Sequence, residues 1–172
     1  MMIYLDTSAL VKLYVIEKDS SVVQEWVDQA RILFTASITY AEARAALAQS
    51  RRSGVLSPSD LRRAVAELDS AWGAYNAVEI NEALVLRAGR LAEAHALRGY
   101  DAVQLAAALQ ARVAGGDYRF AAFDGRLNDA AVREGLRLSD LPNTVEERSV
   151  VAYRGRSRRL DRRQVAASGR SR

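Results

Sequence analysis

Four short apolar runs, Met2–Leu5, Ile32–Ala36, Ala77–Ile80 and Tyr118–Phe123, are separated by longer stretches with helical spacing. Each run is continuous rather than alternating, the pattern of strands buried on both faces. Strands that alternate with helices predict a parallel sheet covered on both sides. This leads to an α/β fold, a three-layer α/β/α sandwich around a central, mostly parallel sheet. Right-handed crossovers then bring every strand's C-terminal end to one edge, where open sheets of this kind bind ligands.

The connecting stretches fit that plan. Helices are expected from Ser8 to about Glu17, from Ser20 to Ala30, and from Thr39 to about Arg52, with Gly54 as a stop. Ser57-Pro58-Ser59-Asp60 reads as a strong start, with a serine cap, proline at the first helical position and an acid at the third. That helix should run to about Trp72. Further helices are expected over Glu82–Leu97, from Asp101 through Leu109 to a stop at Gly115-Gly116, and around Leu127–Arg133. Leu136–Leu138 offers a last edge strand. No internal repeat interrupts the series.

Composition narrows the chemistry. The 172 residues suit one domain. There is no cysteine, which removes disulfides, thiolate metal sites and cysteine nucleophiles. A single histidine, His95, excludes a multi-histidine zinc site. No apolar run approaches a membrane span, and Met1–Asp6 lacks the basic start of a signal peptide, so the cytoplasm is the expected location.

The charge is split. The net +4 divides into +8 for residues 148–172, with nine arginines and one acid, and −4 for residues 1–147. The boundary is drawn at a globular domain over 1–142 and a basic tail over 143–172, expected to be disordered. The tail suits either RNA contact or a solvated extension, which includes an end not native to the protein.

Four acids stand where the fold places ligands. Asp6 ends the first strand, Glu42 lies in the first turn after the second, Asp101 starts a helix, and Asp124 ends the fourth strand. Each also fits helix capping. Thr39-Tyr40-Ala41-Glu42 matches a capping box, Asp101 and Asp6 fit N-caps, and Asp124 before Gly125 fits a turn or cap. Caps need not converge, however. Carboxylates gathered at one edge would repel and raise one another's pKa. A hard divalent cation removes that repulsion, and an all-oxygen set favours Mg²⁺ or Mn²⁺ over zinc or copper. One or two such ions activate water and stabilise the oxygens of an in-line displacement at phosphorus.

The segments Ile3-Tyr-Leu-Asp6-Thr-Ser-Ala-Leu10, Ala41-Glu42, Tyr100-Asp101-Ala-Val-Gln-Leu-Ala-Ala-Ala-Leu109 and Ala122-Phe-Asp124 resemble the PIN-domain nucleases. They look most like the VapC toxins of bacterial toxin–antitoxin pairs, over roughly residues 2–141. The resemblance implies a Mg²⁺- or Mn²⁺-dependent endoribonuclease, a homodimer, and neutralisation by a cognate VapB antitoxin. Asp6, Glu42, Asp101 and Asp124 match the family's four acids in order, as catalytic and metal-holding residues. Ser8 matches the small hydroxyl residue that supports the first acid. The basic tail has no counterpart in the pattern.

Other residues are weighed against that site. Ser8 serves Asp6 or an ordinary N-cap, and Lys12 is a solvated lysine or a phosphate contact. Arg126 and Asn128 are solvated or touch RNA, and Asp129 stays outside the site. His95 reads as a surface or partly buried helix residue rather than a base. Trp26 and Trp72 read as core or dimer packing. Two other functions remain open: an aspartyl-phosphate phosphohydrolase with Asp6 as nucleophile, and a non-catalytic RNA-binding regulator that uses the arginine tail.

Overall fold

The computed structural model describes residues 1–112 and 116–140. The tail, 143–172, and the expected glycine stop at Gly115 lie outside the described residues. The chain runs β1 (Met2–Leu5), α1 (Thr7–Val11), α2 (Ser20–Gln29), β2 (Ile32–Ala36), α3 (Thr39–Arg52), α4 (Pro58–Ala71) and β3 (Asn76–Val78). It continues through α5 (Glu82–His95), α6 (Gly99–Ala111), β4 (Tyr118–Ala121), α7 (Gly125–Arg133) and β5 (Arg137–Leu138). The five strands form one sheet in the order β3-β2-β1-β4-β5, and every pairing is parallel.

Alternation along each strand sends successive side chains to opposite faces. Ile3, Leu5 and Leu33 pack with α1–α4, around Leu10, Val23, Trp26, Leu47 and Leu68. Tyr4 and Phe120 face the other way, against Leu84, Leu105 and Leu127 of α5, α6 and α7. The expected three-layer sandwich is therefore present. Among the described residues, no helix is long and apolar enough to cross a membrane.

The chain builds β1, β2 and β3 outward in one direction, then returns to add β4 on the other side of β1. Neighbouring strands β1 and β4 thus feed connections that leave in opposite directions. A crevice opens at their C-terminal ends, the usual ligand position in such sheets. The Asp6 N–H donates to the Ala121 carbonyl at 3.0 Å, which ties the end of β1 to the end of β4.

Several boundaries differ from the sequence reading, those of the first helix and β4 for local reasons. The first helix stops at Val11 rather than near Glu17. The N–H groups of Lys12, Leu13 and Tyr14 reach back three residues rather than four, tightening the chain into turns. Strand β4 stops at Ala121 rather than Phe123 because side chains replace its ladder. Asn128 donates to the Ala122 carbonyl at 3.0 Å, and the Phe123 N–H donates to Ser8 Oγ at 2.8 Å. Strand β3 covers Asn76–Val78 rather than 77–80. Helix α4 begins as expected, with Ser57 and Asp60 in a full capping box.

Leu105 is fully buried between α6 and the sheet, whereas Val55 is 64% exposed. Leu105→Ala is expected to cost about 2–5 kcal/mol in urea denaturation, and Val55→Ala less than about 0.5 kcal/mol. Equal losses would contradict this packing.

Candidate functional site

Asp6 follows the last residue of the central strand and caps α1. Its Oδ1 accepts from the Ala9 N–H at 2.9 Å and from the Ser8 hydroxyl at 2.8 Å. Ser8 therefore serves Asp6 directly, and through its bond from Phe123 N–H it also pins the β4 end beside it. Asp6 is only 5% exposed, and burial drives its carboxyl pKa up to about 7. The bonds from Ala9 and Ser8 oppose that rise, while the charges of Glu42 and Asp101 add to it.

Glu42 stands in the first turn of α3, but the capping box expected with Thr39 does not form. The N-cap is Ile38, with no side-chain cap, because Thr39 turns inward and bonds to Thr35 and Gln104. Glu42 turns toward the sheet edge instead. Its Oε2 accepts from the Thr7 hydroxyl and from Gln104 Nε2, the latter at 2.7 Å.

Asp101 is not an N-cap either. Arg98 occupies that position and Asp101 lies in the first turn of α6. Its pKa is raised by burial first and then by Asp124, with Arg98 opposing and Glu42 adding a smaller push upward. Asp124 is the N-cap of α7 as expected, its Oδ1 accepting from the Leu127 N–H at 2.9 Å. Asp101 and Asp124 line one cavity of about 280 Å³, with Arg98 and Arg126. Asp6 and Glu42 are not among its lining residues; they sit in the same electrostatic field, toward the buried end of β1.

Gln104 escaped the sequence reading. It is buried on α6 and accepts from the Tyr4 hydroxyl at 2.7 Å through Oε1. That bond fixes the amide orientation, so Nε2 faces Thr39 at 2.9 Å, Glu42 at 2.7 Å and Thr7 at 3.1 Å. The available signal was one polar residue inside the apolar run Ala102-Val-Gln-Leu-Ala. A buried amide needs partners, and these are found at the acids. Thr7, next to Asp6, was missed as well.

The remaining candidates are placed elsewhere. Lys12 is neither solvated nor free to reach a phosphate: its side chain is 11% exposed, bonded to Glu17 at 2.9 Å and lying over the Phe123 ring. Asn128 is pinned to the Ala122 carbonyl. His95 is largely buried and paired with Glu134 at 2.8 Å. Trp26 and Trp72 pack within the α1–α4 side of the core.

The donor chemistry suits a hard cation, with carboxylate oxygens only and at least two of the acids pushed toward protonation. Among the described residues, no three acidic or imidazole side chains stand close enough to hold one ion jointly. Mg²⁺ keeps several waters and needs only one or two direct carboxylates, the number that Asp101 and Asp124 bring to one cavity.

A parallel sheet with Asp6 just past its central strand, and with Asp101 and Asp124 lining one cavity, defines a doubly wound α/β protein with an acidic site. The PIN domain family model matches residues 3–133. The chain is 38% identical over 138 residues to Ribonuclease VapC45 of Mycobacterium tuberculosis, covering 80% of this chain and 94% of that protein. Among solved structures, FitAcB from Neisseria gonorrhoeae superimposes with a TM-score of 0.59 at 19% identity, over 81% of this chain and 97% of that one. Mycobacterium tuberculosis VapC20, described as a sarcin–ricin-loop-cleaving toxin, gives 0.57 at 20% identity, over 74% and 94%. These two likenesses carry the fold. The chain belongs to the PIN-domain family, in its VapC group.

Asp6 gives the site a pH signature. Its folded pKa of about 7 lies above the ordinary 3.8, so the folded chain holds this proton more tightly than the unfolded chain. The resulting stabilisation is complete below about pH 4 and is lost as pH rises through 7, on the order of 4 kcal/mol. In EDTA, Asp6→Asn is expected to be more stable than wild type at pH 8, with the difference shrinking or reversing at pH 5. Urea denaturation at both pH values checks this, and parallel profiles would contradict it.

Proposed function

We propose that this protein is the toxin of a toxin–antitoxin pair, an endoribonuclease that depends on Mg²⁺ or Mn²⁺. The observation that carries the reading is Asp6, driven to about 7 by burial and raised further by Glu42 and Asp101, beside the Asp101–Asp124 pair that lines a cavity. The 38% identity to a protein named a ribonuclease supports RNA as the substrate. A second copy of the chain and a VapB-type antitoxin are the protein partners that fit this reading, and the cytoplasm is the matching location.

Asp6, Asp101, Glu42 and Asp124 would hold the ion directly or through its waters. The chemistry supplied there by a bound ion would be Lewis acidity, making water more acidic and offsetting negative charge on the oxygens at phosphorus. The chain's own residues do the positioning. Ser8 and the Ala9 N–H occupy Asp6 Oδ1 and so fix the direction of Oδ2. Thr7 and Gln104 hold Glu42 in one orientation, which a long flexible side chain would not keep alone. Arg98 and Arg126 line the cavity with Asp101 and Asp124, where they offset repulsion between the acids and an incoming polyanion. No side chain needs to form a covalent intermediate.

Incubation of total RNA with the full chain, with Mg²⁺ or with EDTA, tests this directly. Cleavage is expected only with the divalent ion, and Asp6→Asn and Asp101→Asn are each expected to lower it at least 100-fold with the fold kept. Cleavage undiminished in both variants would overturn the proposal.

A further inference from the structure

Two cavities adjoin beyond the Asp101–Asp124 pair. The first, about 280 Å³, contains those acids with Arg98 and Arg126. The second, about 240 Å³, shares Ala96 and Arg126 with it and continues to Arg133. Together they make a trough between the α5–α6 turn and helix α7. Arg126 and Arg133 are seven residues apart on α7, so they project from one face, about 10 Å apart along the axis.

Two of the positive charges in this trough are not spent internally. Among the described residues, neither Arg126 nor Arg133 has a side-chain partner, although Asp129 lines the second cavity with them. The trough carries three guanidiniums against three carboxylates, and since Arg98 already offsets Asp101, Arg126 and Arg133 are the two left without a partner among the described residues. Residues 1–147 as a whole carry −4, so unpaired arginines beside the acidic site stand against the general trend. A guanidinium presents a planar fork that matches phosphate oxygens two at a time.

We propose that the trough binds the phosphodiester backbone on one side of the bond to be cut, with Arg126 and Arg133 each holding a phosphate. This rests on the ribonuclease reading and adds the path of the substrate to it. The trough opens directly onto Asp101 and Asp124, so a strand lying in it delivers its next phosphodiester to the acids. An acidic peptide would gain nothing from that continuity and would meet the same repulsion from the acids.

The test measures binding without cleavage. Anisotropy of a labelled twelve-nucleotide single-stranded RNA is followed in EDTA with the full chain, over a range of salt concentrations. Arg126→Ala/Arg133→Ala is expected to weaken binding at least 10-fold and to reduce the salt slope by about 1.4, roughly 0.7 for each phosphate no longer neutralised. Arg126→Lys/Arg133→Lys should keep most of the slope, and Arg62→Ala, on the opposite layer, should match wild type. Unchanged affinity and slope in the double alanine variant would overturn the trough. So would an equal loss in Arg62→Ala, or a poly-glutamate peptide that depends on the two arginines when RNA does not. Because EDTA removes catalysis, a trough that binds RNA in a chain that never cuts it would fell the ribonuclease reading alone. An active chain indifferent to both arginines would fell the trough alone.

Discussion

The site is organised around a buried carboxylate. Asp6 is a carboxylate buried at the end of the central strand, with the charges of Glu42 and Asp101 raising its pKa further. Parallel pairing puts it there: β1 lies between β2 and β4, and the Asp6 N–H continues the β1–β4 ladder into the crevice. An unpaired buried charge is costly, so a chain keeps one where something binds to relieve it. Asp101, raised by burial and by Asp124, extends the same condition to the exposed side of the crevice.

The core and the site are joined through a chain of hydrogen bonds. Tyr4, fully buried on β1, donates to Gln104, and Gln104 donates to Glu42. A second branch runs from Gln104 to Thr39, beside Thr35 and the Leu5 carbonyl. Each hydroxyl has one proton, so with Thr35 donating to Leu5, Thr39 must donate to Thr35 and receive from Gln104. The direction of the whole network is then set, which holds Glu42 in place and anchors α3 and α6 to the sheet. Buried networks of this sort act as a unit and tolerate few substitutions.

The layers and the places of Asp6 and Asp124 were legible because they follow from periodicity and from position along the chain. Continuous apolar strands announce a sheet covered on both faces, and an acid just past such a strand must stand at its C-terminal edge. The side-chain partners were less legible. Thr39 and Glu42 have the spacing of a capping box, yet bonds with Thr35 and Gln104 outcompete it. The α1 boundary depended on turn geometry that spacing does not encode. Lys12 looked like a solvated side chain because its tether to Glu17 and its packing over Phe123 arise only once the turn after α1 closes.

Asp6 is raised first by burial and then by its neighbouring carboxylates, and its titration with and without Asp101 separates the two. Carbon-13 carboxyl shifts of Asp6 followed against pH in EDTA should give a midpoint near 7, and Asp101→Asn, which removes one neighbouring charge, should lower it. A midpoint near 4 that ignores the loss of Asp101 would show the acids to be independent, and the site as described would not exist.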